Sequence, residues 1–301
     1  MTRLAILSDI HGNLPALEAV LQDLAQFTTD HVIAAGDVIN VGPFSAQVLE
    51  IVTSRGWAAI RGNNEFYLLD YNTPRAPAEW NDLTRFPLPG WLHRQLNGHW
   101  HDIIAAWPDA LSLRFPDAPP VRVVHGSPRS VTQLMYPTLS DEDLEAMLAG
   151  TNEATVIAGH THLSMDRHVS RWHLLNPGSV GGPLDGQISA SYMLLDGNAD
   201  GWQATFRRVP YDLDPILREF ERQGFVEQCG VVGTLAVEDF KTARPTFLAF
   251  LRWHGACCPD APLTKKLLEE FHRVKPWDYM PSAYRINLPD SSAVDKAACE
   301  G

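Results

Sequence analysis

Residues 4–13 read LAILSDIHGN, a short apolar run that ends in Asp9, followed by His11 two positions later. An apolar run of this length is typical of a strand buried on both faces. Asn13 can then cap a helix whose first turn tolerates Pro15. The stretch therefore predicts a strand, a tight polar turn and a helix, the first unit of an α/β fold.

The same arrangement recurs in the next fifty residues. A predicted strand at 31–35 ends in Gly36-Asp37, a helix is predicted at 45–54, and a third strand at 57–60 leads into Gly62-Asn63. Alternating strands and helices favour a parallel sheet with right-handed crossovers. Polar residues at the carboxyl ends of such strands collect at one edge, where sites form.

Two further strand ends carry histidine. A strand at 121–124 leads into His125, and a strand at 155–158 leads into His160 and His162. Side chains two positions apart in extended chain share a face, so Asp-x-His and His-x-His can each act as a pair of ligands. Together they predict two divalent cations about 3.5–4 Å apart, as in two-metal phosphatases. The seven candidate ligands are Asp9, His11, Asp37, Asn63, His125, His160 and His162.

Asp37 stands alone on its turn, which makes it the candidate for the carboxylate that bridges both cations. Carboxylate, amide and imidazole ligands suit Mn, Fe, Co, Ni or Zn without selecting one of them. Such a centre is suited to the attack of water on phosphorus.

The rest of the chain carries none of these ligands. Residues 66–110 predict helices and loops beside the site, and short strands within 172–209 predict a second, largely antiparallel sheet facing the first. We divide the chain into a catalytic domain at 1–211 and a helical extension at 212–301. The extension could be a cap, an oligomer surface or packing. Its predicted elements are helices near 213–222, 235–253 (with a possible break at Pro245) and 263–273, and a loose tail of about twelve residues.

Composition narrows the possible partners. The chain has 301 residues, 45% of them hydrophobic, and a formal net charge of −12, which argues against long nucleic acid as substrate.

No apolar run approaches the roughly 20 residues of a membrane-spanning helix. The first strand begins too early to leave room for a signal peptide. Reduced thiols are expected for the four cysteines. We therefore expect a cytoplasmic protein that acts on a small, nucleotide-like phosphorylated substrate, and the sequence leaves open whether it forms a homo-oligomer.

The motifs resemble those of the calcineurin-like metallophosphoesterases. The similar segments, SDIHGN, GDV, GNNE, HGS and GHTH, lie between residue 3 and about residue 210. The resemblance implies a four-layer α/β/β/α sandwich of two mixed sheets. It favours the bacterial phosphodiesterase and diadenosine tetraphosphatase-related branch. It also implies which residues hold each ion: Asp9, His11, Asp37 and His162 for one, and Asp37, Asn63, His125 and His160 for the other.

One position departs from the family pattern. Many members have a histidine where this chain has Asn64, and that histidine is thought to protonate the leaving oxygen. An amide donates hydrogen bonds but is no general acid, so Asn64 predicts leaving groups that need little protonation. Beside it, Glu65 could orient Asn64 or be a solvated loop carboxylate. Arg61 could clamp a second phosphate or form a structural ion pair.

The predicted function is hydrolysis of a small phosphodiester, nucleotide or phosphoanhydride by a metal-bridging hydroxide, with Asp37, Asn64 and Arg61 as candidate catalytic residues. Two alternatives stay open. One is a serine/threonine phosphoprotein phosphatase, which the missing histidine disfavours. The other is a non-catalytic scaffold on the same fold, which the complete ligand set disfavours.

Overall fold

The computed structural model describes residues 1–96 and 98–286. In these residues the chain forms two five-stranded sheets and ten α-helices. The strands are β1 (Thr2–Leu7), β2 (His31–Ala34), β3 (Ala58–Ala59), β4 (Ala110–Leu113), β5 (Val121–Val124), β6 (Thr155–Ile157), β7 (Ser164–Val169), β8 (Trp172–Pro177), β9 (Ala190–Asn198) and β10 (Gly201–Val209). The helices are α1 (Leu14–Leu24), α2 (Ser45–Ser54), α3 (Asn63–Asp70), α4 (Pro87–Gln95), α5 (Gly98–Ala105), α6 (Asp141–Leu148), α7 (Asp214–Arg222), α8 (Phe225–Thr242), α9 (Thr246–Cys257) and α10 (Lys265–Phe271). The predicted tail lies outside the described residues.

The first sheet has the strand order β10-β9-β1-β2-β3. Its β1, β2 and β3 run parallel and are joined by α1 and α2, as the alternating pattern predicted. Asn13 caps α1, because its side-chain oxygen accepts a hydrogen bond from the backbone N–H of Ala16 at 3.2 Å. The parallel order brings the ends of β1, β2 and β3 to one edge.

The second sheet has the order β4-β5-β6-β8-β7, with β5, β6 and β8 parallel. The expectation that 172–209 forms one antiparallel sheet facing the first is wrong. Strand β8 joins the second sheet, whereas β9 and β10 extend the first by pairing with β1. Both sheets are therefore mixed, as the family resemblance implied.

Four layers result from the way these elements pack. One apolar core lies between the sheets, a second lies between the first sheet and α1 with α2, and a third lies between the second sheet and α6. The inter-sheet core includes Ile6 and Ile33 from one sheet and Val123 and Ile157 from the other. The predicted α/β/β/α sandwich with a helical C-terminal extension is thus confirmed.

The C-terminal helices add cores of their own. Phe220 and Phe225 pack with Trp91 of α4, which attaches α7 and α8 to the main body. The predicted break at Pro245 occurs between α8 and α9, but α8 begins ten residues earlier than expected and kinks at Gly230, where φ is 57°. In the described part of the chain, no helix combines the length and apolar character needed to cross a membrane.

Candidate metal centre

The seven candidate ligands meet where the two sheets present their strand ends. Asp9 and His11 follow β1, Asp37 follows β2, and His125 follows β5. Backbone hydrogen bonds join neighbouring turns within each sheet: in the first, His11 N–H donates to the carbonyl of Asp37 at 2.9 Å, and in the second, Gly159 N–H donates to that of His125 at 2.7 Å. The position of the site is therefore fixed by sheet pairing.

One group of ligand atoms comes from Asp9, His11 and His162. Asp9 Oδ1 lies 3.2 Å from His162 Nε2 and 3.8 Å from His11 Nε2. The two histidine Nε2 atoms are themselves only 3.2 Å apart. The Asp-x-His pair of the first turn thus meets the second histidine of the GHTH segment.

The other group comes from Asp37, His125 and His160. Asp37 Oδ2 lies 3.3 Å from His125 Nε2 and 3.7 Å from His11 Nε2, so it stands between the two groups. Asn63, the first residue of α3, places its Oδ1 3.2 Å from His125 Nε2. This arrangement suits the bridging role expected of Asp37.

Burial and mutual attraction set the protonation of these groups. Burial opposes ionisation of Asp9, but the nearby His162 and His125 lower the pKa of its carboxyl to about 2. Burial also disfavours charge on His125, yet Asp37 and Asp9 raise the pKa of that imidazole to about 10. For His11 burial prevails and lowers the pKa to about 4. Two ionised carboxylates are thus balanced by positive charge on neighbouring imidazoles.

The donor set fits divalent cations. Asp9 Oδ1 and His11 Nδ1 are buried and have no hydrogen-bond partner, a costly arrangement for polar atoms. Asp37 lines a cavity together with His11, His160 and His162. Several lone-pair donors converging in a buried pocket are what a cation requires.

Five of the seven ligand residues adopt left-handed backbone conformations. Their φ angles lie between 50° and 66°, in the region that non-glycine residues rarely occupy. The five residues are Asp9, His11, Asp37, His160 and His162.

Gly62 permits a close approach that no other residue allows. A Cβ atom at this position would overlap the carboxylate of Asp37. The turn before α3 can therefore lie directly against Asp37 only because residue 62 has no side chain.

Asn64 is buried and holds Asp37. Its Nδ2 donates to Asp37 Oδ2 at 2.5 Å, and its backbone N–H donates to Asp37 Oδ1 at 2.9 Å. Asn40 Nδ2 donates to Asn64 Oδ1 at 2.6 Å, which fixes the orientation of the amide. Asn64 also lines the cavity.

Glu65 does neither of the things expected from the sequence. It is fully buried, and its carboxylate accepts hydrogen bonds from the backbone N–H groups of Asp37 (3.0 Å), Val38 (2.9 Å), Ile39 (3.3 Å) and Gly62 (2.6 Å). Burial and the nearby Asp37 raise the pKa of Glu65 to about 7. Sequence reasoning missed this role because the amides of residues 37–39 approach Glu65 only after folding.

Arg61 lies in an ion pair. Its guanidinium is 2.7 Å from Asp109 Oδ1 and stacks on the ring of Phe66, 5.3 Å from the centroid. Arg61 is not among the residues that line the cavity. The geometry therefore favours the structural alternative over a phosphate clamp.

The C-terminal helices form the opposite wall of the cavity. Its volume is about 250 Å³, and α8 and α9 contribute Ala236, Asp239, Phe240 and Phe247. The hydroxyl of Tyr284 donates to the carbonyl of Thr161, within the GHTH segment, at 3.0 Å. Of the three roles left open for the extension, a cap over the site is the one that this geometry favours.

Three comparisons with known proteins bear on this site. The chain is 26% identical over 245 residues to the uncharacterized protein MJ0912 of Methanocaldococcus jannaschii, covering 75% of this chain and 95% of the relative. It is 28% identical over 202 residues to phosphodiesterase YfcE of Escherichia coli, covering 65% and 88%. A metallophosphoesterase structure from Sphaerobacter thermophilus shares the fold with a TM-score of 0.63 at 24% identity, covering 80% of this chain and 99% of that one.

The sequence profile of the calcineurin-like phosphoesterase superfamily domain matches residues 2–200. This match covers both sheets up to the end of β9 and includes all seven candidate ligands. The chain therefore belongs to the calcineurin-like phosphoesterase superfamily and is a metal-dependent phosphoester hydrolase.

Proposed function

We propose that the protein is a dinuclear phosphoesterase that hydrolyses a small phosphodiester, nucleotide or phosphoanhydride carrying an aromatic group next to the phosphorus. The observation that carries this proposal is the composition of the cavity. One wall consists of metal-ligand side chains, and the facing wall includes Phe240 and Phe247 together with Leu184. A phosphoryl group and an apolar ring can be accommodated side by side.

The ligands divide between two cations. Asp9, His11 and His162 would hold one, Asn63, His125 and His160 the other, and Asp37 both. When bound, the cations would lower the pKa of water and supply positive charge beside the phosphoryl group. Their identity among Mn, Fe, Co, Ni and Zn is open.

The protein's own residues position the reacting groups. Glu65 accepts hydrogen bonds from the turn of Asp37, and Asn64 binds the Asp37 carboxylate. An amide nitrogen has two hydrogens, so Asn64 can donate the second one to a phosphoryl oxygen. Its first hydrogen stays bonded to Asp37, so the amide of Asn64 keeps a fixed position relative to that carboxylate.

Asp239 is the candidate proton donor for poor leaving groups. Besides Asp37, it is the only carboxyl among the residues that line the cavity in the described ranges. Desolvation raises the pKa of Asp239 well above its ordinary value, which favours the protonated form of this carboxyl. Phe247 N–H donates to Asp239 Oδ1 at 3.1 Å, and Thr246 also donates to this carboxyl. Aryl and nucleotide leaving groups would depend on this proton less than alkoxides do.

The test is a steady-state comparison after metals are stripped and then restored. We expect no turnover in the stripped protein and turnover of bis-p-nitrophenyl phosphate after Mn²⁺ or Zn²⁺ is added. Elemental analysis of the Mn²⁺-loaded protein should find two equivalents per chain. Preference for serine phosphate would instead support a phosphoprotein phosphatase, and activity that survives chelation would refute the proposal.

Cytoplasmic location belongs to the same proposal. Three cysteines, Cys229, Cys257 and Cys258, are free thiols in the structure, while Cys299 lies outside the described residues. Free thiols are typical of a reducing compartment. A small phosphorylated substrate and a possible homo-oligomer remain the expected partners.

A further inference from the structure

A third group of potential metal ligands lies on the hairpin formed by β7 and β8, outside the cavity. Asp166, His168 and His173 each offer one ligand atom, and these atoms lie within 4.8 Å of one another. Strand β7 is the edge strand of the second sheet. None of the three residues belongs to the seven candidate ligands.

Strand register explains why the three side chains converge. His168 is paired directly with His173 across the antiparallel strands, and directly opposed side chains share a face. Asp166 precedes His168 by two positions and so points to the same side of β7. Leu175, opposite Asp166, belongs to the inter-sheet core, whereas Asp166 and His168 are exposed. The group therefore lies at the rim of that face, open to solvent.

Contacts within the group already hold the side chains together. His173 Nε2 lies 2.7 Å from Asp166 Oδ1. The rings of His168 and His173 stack with centroids 4.2 Å apart and planes 13° from parallel. The hydrogen bond joins Asp166 and His173, and the imidazole of His168 lies beside His173 as the third potential ligand.

We propose that Asp166, His168 and His173 bind one divalent transition-metal cation of the zinc class, separate from the candidate centre at the strand ends. Two imidazoles and one carboxylate suit Zn²⁺, Co²⁺, Ni²⁺ or Cu²⁺, whereas Mg²⁺ and Ca²⁺ prefer oxygen ligands throughout. Three protein ligands leave a coordination position for water. The cation would join the two strands at an edge where β7 has no further partner strand in the described sheet.

The test is a titration with zinc chloride of the full-length protein and of the double variant His168→Ala/His173→Ala. The variant should bind one equivalent fewer than the wild type. The comparison does not depend on the proposed function, because the seven candidate ligands are present in both proteins. Cobalt absorption in the visible range gives a second readout, and the variant should lose the part of it that belongs to this site.

His99→Ala/His101→Ala is the matched control. These histidines also stand two positions apart, but they lie on α5, where the helical turn places them about 200° apart. The control should bind as many equivalents as the wild type. Asp166→Asn should weaken the same site about tenfold, because a neutral amide is a poorer ligand than a carboxylate.

Equal zinc stoichiometry in the wild type and the folded double variant would overturn the proposal, as would an equal loss in the control. Circular dichroism verifies folding. Should the double variant fail to fold, the single variant His168→Gln replaces it, since His168 is exposed and makes no hydrogen bond that its loss would leave buried. This variant must also lose the equivalent for the proposal to stand.

Discussion

The two walls of the cavity come from regions that are built differently. The strand-end turns supply imidazoles and carboxylates held by backbone hydrogen bonds between neighbouring turns of each sheet. Helices α8 and α9 supply mainly apolar side chains, held by packing against α4 and against each other. The first wall is suited to the chemistry common to all substrates, and the second to choosing among them. Changes in the two regions should therefore differ in how strongly their effects depend on the substrate.

The largest effect is expected from Asp37→Asn. Asp37 Oδ2 lies near His11 and His125 and is the proposed bridge, so one charge lost there weakens both cation sites. We expect a loss of activity on every substrate of about 10³-fold or more, roughly 4 kcal/mol, together with loss of bound metal by elemental analysis.

Asp23→Asn is the control for that change. Asp23 pairs with Arg207 at 2.7 Å on the outer side of the first sheet, so its loss should lower thermal stability and leave metal content intact. Retention of both ions by the Asp37 variant would contradict the bridging role.

A smaller, substrate-dependent effect is expected from Asp239→Asn. The amide keeps Oδ1 as acceptor for Phe247 N–H but has no carboxyl proton. Turnover of alkyl esters should fall about 10²-fold, the scale of general acid catalysis. Turnover of nitrophenyl esters should change less than about threefold on the same grounds. Equal losses on both substrates would show that Asp239 positions α9 and does not donate a proton.

Phe247→Ala should reduce kcat/KM for aryl diesters about tenfold, because a ring that packs on the substrate contributes about 1–2 kcal/mol. Methyl-substituted diesters, which do not reach that ring, should be affected little. Leu251→Ala lies on the same helix with an exposed side chain and should change neither. Equal losses for aryl and methyl diesters would show that Phe247 supports the fold of the C-terminal helices and does not contact the substrate.

The smallest change is expected from Asn64→His. It should raise phosphomonoesterase activity a few-fold, about 1 kcal/mol, because an imidazole can protonate the leaving oxygen. The gain is limited because the new side chain also gives up the hydrogen bond to Asp37. A variant that binds metal normally and gains no monoesterase activity would show that position 64 has no acid role.

The sequence allowed much of the strand-end wall to be anticipated. Parallel strands bring their ends together, so Asp9, Asp37 and His125 could be grouped before any coordinates. Strand partners were harder to foresee. Strands β9 and β10 were assigned to the wrong sheet, because alternation indicates a strand but not its neighbour.

The helical wall could not be anticipated in the same way. Phe247 and Asp239 sit in apolar helices whose pattern predicts burial but not which surface they cover. The same holds for Glu65, whose role depends on the amides of residues 37–39, which lie 26 to 28 positions away in the sequence. Motifs therefore indicated the chemistry, while the residues proposed to select the substrate belong to no motif.

The left-handed backbone of the five ligand residues lowers the free energy of unfolding. A left-handed conformation costs a residue other than glycine about 1–2 kcal/mol, so five of them together approach the net stability of an ordinary domain. Binding of the cations, which stabilises only the folded state, offsets part of this conformational cost. Chelation should therefore lower the melting temperature as well as abolish catalysis. Glycine at one of these positions should raise the melting temperature of the metal-free protein while it abolishes activity.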